Sequence, residues 1–379
     1  MTKRLNIERL MEAMDSKGLS KAKIAASLGM SRTAVTNWFK GDNFPRPAEL
    51  LKLGRLLDLK HAELVEKVSA KASPLVAFRK RASCKTTDLD FQRAKNMGAF
   101  LEQLVPYLDV DQFMAPREVK KPSCDYDYIQ SLVARIRREL DIGEQDCFEF
   151  ADLLDLFAEH DAIIIPCLWG RKTKHENALH IHLPESKTTW IYLNLDVERH
   201  DFKFWMAHEA GHVLTVNLLE QELLEEAENF ADTFAGALLF PKPLAKKAYE
   251  ELESVKKINE KLEILGNWAQ THMISPFSVY KEIGAYAEAY DLKRKEITDS
   301  TLHFYINRFN KKFPTLSEDM FKNETPTANH FMREAQSEFD TQIYKALGDY
   351  IKEKDPSVGV ISTILGISPM DADAYKRAF

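Results

Sequence analysis

Residues 20–41 read Ser20-Lys-Ala-Lys-Ile-Ala-Ala-Ser-Leu-Gly-Met-Ser-Arg-Thr-Ala-Val-Thr-Asn-Trp-Phe-Lys-Gly41 and hold two helix starts around one turn. Ser20 is a natural N-cap, and Ile24, Ala25 and Leu28 behind it fall on one buried side. Gly29 makes the turn. Ser31 caps a second helix with Ala34, Val35, Trp38 and Phe39 inward, closed by Gly41. A helix with a stripe of Ile7, Leu10, Met11 and Met14 precedes the pair and stops near Gly18. Asn43-Phe-Pro-Arg-Pro breaks the chain after it, and Pro47 suits the first position of a fourth helix rich in leucine.

Two short helices about a Gly turn meet the needs of a helix-turn-helix, in which the first helix braces the second in the major groove. The outward set is Arg32, Thr33, Thr36, Asn37 and Lys40, with Lys21 at the start of the bracing helix, over the DNA backbone. Arg grips guanine edges, Asn pairs with adenine, and Thr or Lys reaches phosphates. Charge agrees: residues 1–60 hold twelve Lys and Arg against six acids, whereas the whole chain sits at −6, which leaves −12 for the remainder. A basic head on an acidic body points to a polyanion partner for the head alone. The Ser20–Gly41 stretch resembles the XRE/Cro-type helix-turn-helix family in Ala25, the Leu-Gly turn, Ser31, Val35, Trp38 and Gly41. The resemblance covers roughly residues 5–60. It implies a double-stranded DNA operator as partner and a homodimer to match a two-fold site.

A second stretch carries a different chemistry. Trp205-Met-Ala-His-Glu-Ala-Gly-His-Val-Leu214 contains HExxH, which on a helix projects His208 and His212 from one face with Glu209 beside them. Such a pair grips one zinc ion. The metal lowers the pKa of a bound water toward ~7, and Glu209 then takes its proton as the catalytic base. A catalytic zinc needs a third protein ligand. The long metzincin pattern would require Gly and His where Thr215 and Leu218 stand. A carboxylate from a later helix is expected instead, from among Glu220, Glu222, Glu225, Glu226, Glu228 and Asp232. Glu228 shares a helix side with Ala231, Asp232 and Ala235, small residues that permit close packing on the zinc helix.

The run from Glu228 to Pro241 is similar to the E-x-E-A-N-x-F-A-x-x-L-L-M-P signature of the ImmA/IrrE metallopeptidases, with Asp232 where the family has Asn and a bulkier Asn229-Phe230. Trp190-Ile-Tyr-Leu-Asn, Arg199-His-Asp-Phe and Ile274-Ser-Pro-Phe-Ser-Val-Tyr extend the resemblance over roughly 147–285. It implies a zincin-like domain, Zn2+ as cofactor, Glu228 as third ligand, and a repressor-like protein substrate, either a partner or the chain itself. His180 and His182 project from one face of a strand and are expected to meet solvent. His180 and Tyr192 are the candidates for oxyanion or substrate contacts.

The rest sets the frame. A strand is expected at Leu75–Arg79, helices around 127–140 and 147–159, strands at 161–166, 178–183 and 188–195, and helices at 199–217 and 224–239. The fold class is mainly α with a small β-sheet. The expected division is a DNA-binding domain at 1–68, a helical connector at 69–125 with an exposed stretch near 114–125, a metallopeptidase domain at 126–285, and a helical carboxy-terminal region at 286–379 without an assigned role. No run approaches the about 18 apolar residues of a membrane span. The charged start lacks a secretory apolar core, and Cys84, Cys124, Cys147 and Cys167 lie far apart, so a cytoplasmic chain with reduced thiols and no membrane partner is expected. Three functions fit this frame: a regulator with a zinc peptidase, a non-proteolytic or antitoxin-like repressor whose peptidase-like domain senses or scaffolds, and an enzyme with a dimerising bundle.

Overall fold

The computed structural model describes residues 2–5, 7–40, 45–68, 73–79, 88–109, 119–170, 177–219, 223–293, 297–322 and 324–379. It divides into two compact units, Met1–Ser73 and Pro74–Phe379. Among the described residues no helix is long and apolar enough to cross a membrane.

The amino-terminal unit holds α1 (Ile7–Ser16), α2 (Lys21–Leu28), α3 (Arg32–Lys40), α4 (Pro47–Leu57) and the short α5 (His61–Leu64). The turn expected at Gly29 is present. Gly29 has φ 67°, and the Gly29 and Met30 N–H groups return to the Ala26 and Ala25 carbonyls. Ser20 Oγ accepts from Lys23 N at 3.3 Å and Ser31 Oγ from Ala34 N at 3.2 Å, so both caps form. Leu10, Ile24, Val35, Trp38 and Leu53 close the core. Gly41, expected to close α3, and Asn43 and Phe44 of the expected break lie outside the described residues. An unexpected ribbon joins the unit's ends: β1 (Thr2–Leu5) pairs antiparallel with β2 (Val65–Val68).

The second unit is built on a sheet of order β3-β5-β6-β4, with β3 Leu75–Arg79, β4 Ala162–Cys167, β5 Ala178–Leu183 and β6 Thr188–Asn194. β4 runs parallel to β6, while β5 is antiparallel to both β6 and β3. The stretch 69–125, expected as a helical connector, therefore contributes an edge strand, followed by α6 (Asp88–Leu101). Gly98 of α6 permits that packing: a Cβ there would lie 2.7 Å from Pro74 and 3.2 Å from Ile181. Residues 110–118, which include part of the expected exposed stretch, lie outside the described residues, as does Cys84. Cys124 and Cys147 are free, and the Cys167 Sγ donates to the Leu193 carbonyl.

Helices α7 (Tyr126–Glu139) and α8 (Phe150–Ala158) precede β4. After the sheet come α9 (Arg199–Leu214), α10 (Leu224–Leu239), α11 (Lys242–Ser254), α12 (Ile258–His272) and α13 (Pro276–Ala289). The tail continues as α14 (Asp299–Asn310), α15 (Leu316–Phe321), α16 (Ala328–Phe339), α17 (Ile343–Lys354), α18 (Val358–Leu365) and α19 (Pro369–Ala378). This tail shares one buried core with the sheet, through Ile343, Leu347, Ile361 and Ile364. Thr341 Oγ1 and Tyr344 OH bond the β4 carbonyls of Ile164 and Pro166. The described residues are thus mainly helical, with a small four-stranded mixed sheet beside the β1–β2 ribbon, in keeping with the expected fold class.

Candidate metal centre and DNA-reading helix

The HExxH segment lies on α9, which is buried without a break from Met206 to Leu214, and His208, Glu209 and His212 are at most 1% exposed. α10 crosses it at Gly211. A Cβ on Gly211 would sit 2.7 Å from the Ala231 Cα, so only glycine permits this approach. One turn before Ala231, Glu228 reaches both imidazoles. Its carboxylate oxygens lie 3.5 Å from His208 Nε2 and 3.2 Å from His212 Nε2, and the two Nε2 atoms are 3.1 Å apart. Among the described residues these are the side chains whose ligand atoms gather within 4.8 Å of one another. A tetrahedral ion held at about 2.0–2.2 Å has ligand–ligand edges of about 3.3–3.6 Å, so the three residues fit one zinc-sized cation with little movement.

The electrostatics favour the same occupant. Glu209, Glu228 and Asp232 surround two imidazoles, an excess of negative charge that a cation would balance. Burial opposes charge on His208, yet the Asp232 and Glu228 carboxylates outweigh it and push its imidazole up to about 9. Burial likewise opposes charge on Glu228, but bonds from both imidazoles hold its carboxyl far below the usual range. Burial and the neighbouring His208 lower His212. Asp232, weighed above as a ligand, stands behind the site: its Oδ1 is 3.0 Å from His208 Nδ1 and turns the Nε2 toward Glu228. Glu225 and Glu226 are exposed, and Glu220 and Glu222 lie outside the described residues. Glu228 and Asp232 are 26% and 24% exposed, so the site opens on the α10 side.

His180 and His182 do not meet solvent. β5 lies inside the sheet and α9 covers that face, leaving them 0% and 7% exposed. His180 Nδ1 is 3.6 Å from Glu209 Oε2, and burial pushes its imidazole down to about 3, which keeps it neutral. Neither of its ring nitrogens has a hydrogen-bond partner. His182 Nδ1 contacts Thr189 Oγ1 at 3.0 Å. Tyr192 belongs to the opposite face: its hydroxyl donates to the Ile364 carbonyl of α18, away from Glu209. Alternation explains the difference, because His180 pairs with Ile191 and Tyr192 with Leu179. The sequence signal for a buried His180 was Leu75–Arg79, which as a strand makes β5 interior.

In the amino-terminal unit Arg32 and Thr33 are exposed at the start of α3, and Thr36 and Asn37 are half-buried further along. Thr36 Oγ1 donates to the Arg32 carbonyl, which leaves its lone pairs to accept from a base or a backbone group. Lys21, exposed at the start of α2, places Nζ 4.7 Å from the Phe39 ring centroid. Lys40 ends α3.

No curated relative and no solved structure matches the chain. Residues 10–64 match the helix-turn-helix family, a span that runs from within α1 to the end of α5. That match supports a DNA-binding regulator whose amino-terminal unit is an XRE-type helix-turn-helix domain.

Proposed function

We propose that this regulator carries a zinc-dependent peptidase in its second unit and cleaves a repressor-like protein, a partner or the chain itself. The observation that carries the proposal is the convergence of His208, His212 and Glu228 on one point with Glu209 beside them. Zinc held there would supply Lewis-acid charge that acidifies a water and polarises a peptide carbonyl. Glu209, buried next to the ligands, accepts the water's proton and returns it to the leaving amine. Asp232 fixes the His208 ring, and neutral His180 offers a donor to the oxygen that gains charge. A homodimer would present two α3 helices to two half-sites of an operator, with Arg32, Thr33 and Asn37 toward the bases and Lys21 and Lys40 toward phosphates.

One observation favours a second reading, a repressor whose metal unit senses or scaffolds: the near-complete burial of His208, Glu209 and His212. Metal content, operator binding and proteolysis measured on the same preparations separate the two. The peptidase reading expects about one zinc per chain, lost in His208→Ala and His212→Ala and kept in Glu209→Gln, with cleavage absent in all three. Loss of metal in Glu209→Gln as complete as in His208→Ala would remove Glu209 from the role of base. Metal and operator binding without proteolysis by the wild type would leave the sensor.

A further inference from the structure

A peptidase must hold its substrate extended, and a sheet edge does this through backbone groups that pair whatever the side chains. The strand nearest the metal centre is β5, whose His180 contacts Glu209 and whose ring lies 5.7 Å from that of His212. One side of β5 is paired with β6. The other is taken by the chain's own β3, antiparallel, with Leu75 opposite His182 and Ala77 opposite His180. Directly paired residues share a face of the sheet, so Ala77 lies on the side that looks toward α9. It sits one strand spacing, about 4.8 Å, beyond the residue that touches Glu209.

We propose that β3 is the peptidase's own substrate strand and that hydrolysis falls at a peptide bond flanking Ala77. The inference rests on the peptidase reading and names its substrate. β3 begins two residues past Ser73, where the DNA-binding unit ends, so cleavage there separates operator binding from the metal unit. Ala77, 2% exposed, puts only a methyl group toward α9. From the other face α6 holds the strand, through Gly98 against Pro74 and Ile181. The ring nitrogens of buried His180 have no hydrogen-bond partner, and a peptide carbonyl reaching the ring would give one of them an acceptor. In the step itself, water's oxygen bonds to the carbonyl carbon and the C–N bond breaks. The proton taken by Glu209 passes to the new amine, giving one carboxylate and one amino terminus.

The test uses the full chain loaded with zinc, its Glu209→Gln variant, and metal analysis of each sample. Intact mass over time should show two fragments joined at residues 76–78 in the wild type and none in Glu209→Gln. The rate should be unchanged by dilution, as for a reaction within one molecule. Amide exchange at β5 should be slow in Glu209→Gln and faster in the cut protein, where the paired stub is free to leave. An uncut wild type with zinc bound, or a cut outside 76–78, overturns the inference and leaves the metal centre standing. A wild type that binds no zinc overturns the peptidase reading beneath it.

Discussion

Gly211→Ala tests how the third ligand is delivered. The new Cβ would stand 2.7 Å from Ala231 Cα and 3.1 Å from its Cβ, and the first of these is backbone that cannot rotate away. Ordinary contact begins near 3.4 Å, so α9 and α10 must part by about 0.7 Å at this crossing. Glu228 lies one turn from Ala231 on the same rigid helix and takes most of that displacement. Its separations from His212 and His208, now 3.2 and 3.5 Å, would grow toward about 4 Å, past the edge of a tetrahedral site. Overpacking of this kind costs about 1–3 kcal/mol, offset by up to about 1 kcal/mol of helix propensity. Zinc affinity, read by competition with a chromophoric chelator, should fall by about 10–100-fold, the range seen when a ligand is loosened and not removed. Urea unfolding of the metal-free protein gives the stability term separately. Unchanged affinity and an unchanged midpoint would mean that the Gly211–Ala231 approach does not set the Glu228 position.

Glu228→Ala should weaken zinc far more than Glu225→Ala or Glu226→Ala, and equal retention in all three, measured by metal analysis, would move the ligand elsewhere. Asp232→Ala should cost about 10–100-fold in affinity while leaving the ion's stoichiometry unchanged, because it frees the His208 ring without removing a donor. Burial against Gly236 pushes Glu282 up to about 8 from 4.5, so the unfolded chain ionises first and stability is lost as pH rises from about 4.5 to 8. The full shift corresponds to at most about 5 kcal/mol, and Glu282→Gln should flatten the fall in urea midpoint across that window; an unaltered slope would sink the assignment. Arg32→Ala should cost about 1–3 kcal/mol on a specific operator and little on random DNA, whereas Lys21→Ala should weaken both, with the ratio followed across a salt series.

Much of this was legible where local chemistry decides. Ser20, Gly29 and Ser31 fix two caps and a left-handed turn by their own conformational preferences, and HExxH places two imidazoles on one face by helix period alone. What resisted reading was set by partners distant in sequence. Thr2–Leu5 becomes a strand only because Val65–Val68 lies beside it, and neither segment alternates strongly enough to announce the pair. The exposure of His180 could not be read from β5 itself. It depended on β3 covering one edge and α9 covering one face, contacts that span about a hundred and thirty residues in all. Tyr192 was misplaced for a related reason: alternation gives two faces but does not say which one α9 covers.

Glu228 shows how a ligand is chosen from an acidic run. The sequence from Leu224 to Glu228 offers three glutamates within a turn and a half, chemically interchangeable and all on one helix. Nothing in the residue type separates them. The separation comes from backbone proximity on both ends of α10. At one end Gly211 admits Ala231, which turns the Glu228 side of the helix toward the imidazoles and leaves Glu225 and Glu226 in solvent. At the other end the buried Arg137 side chain donates to the Leu238 carbonyl, while Gly236 lies against Glu282. A helix pinned at two points has little freedom to slide or roll, so the carboxylate one turn before the first of them is held at bonding distance from both imidazoles. Residues far from the chemistry, with no donor atom to offer, therefore decide which carboxylate a metal would meet.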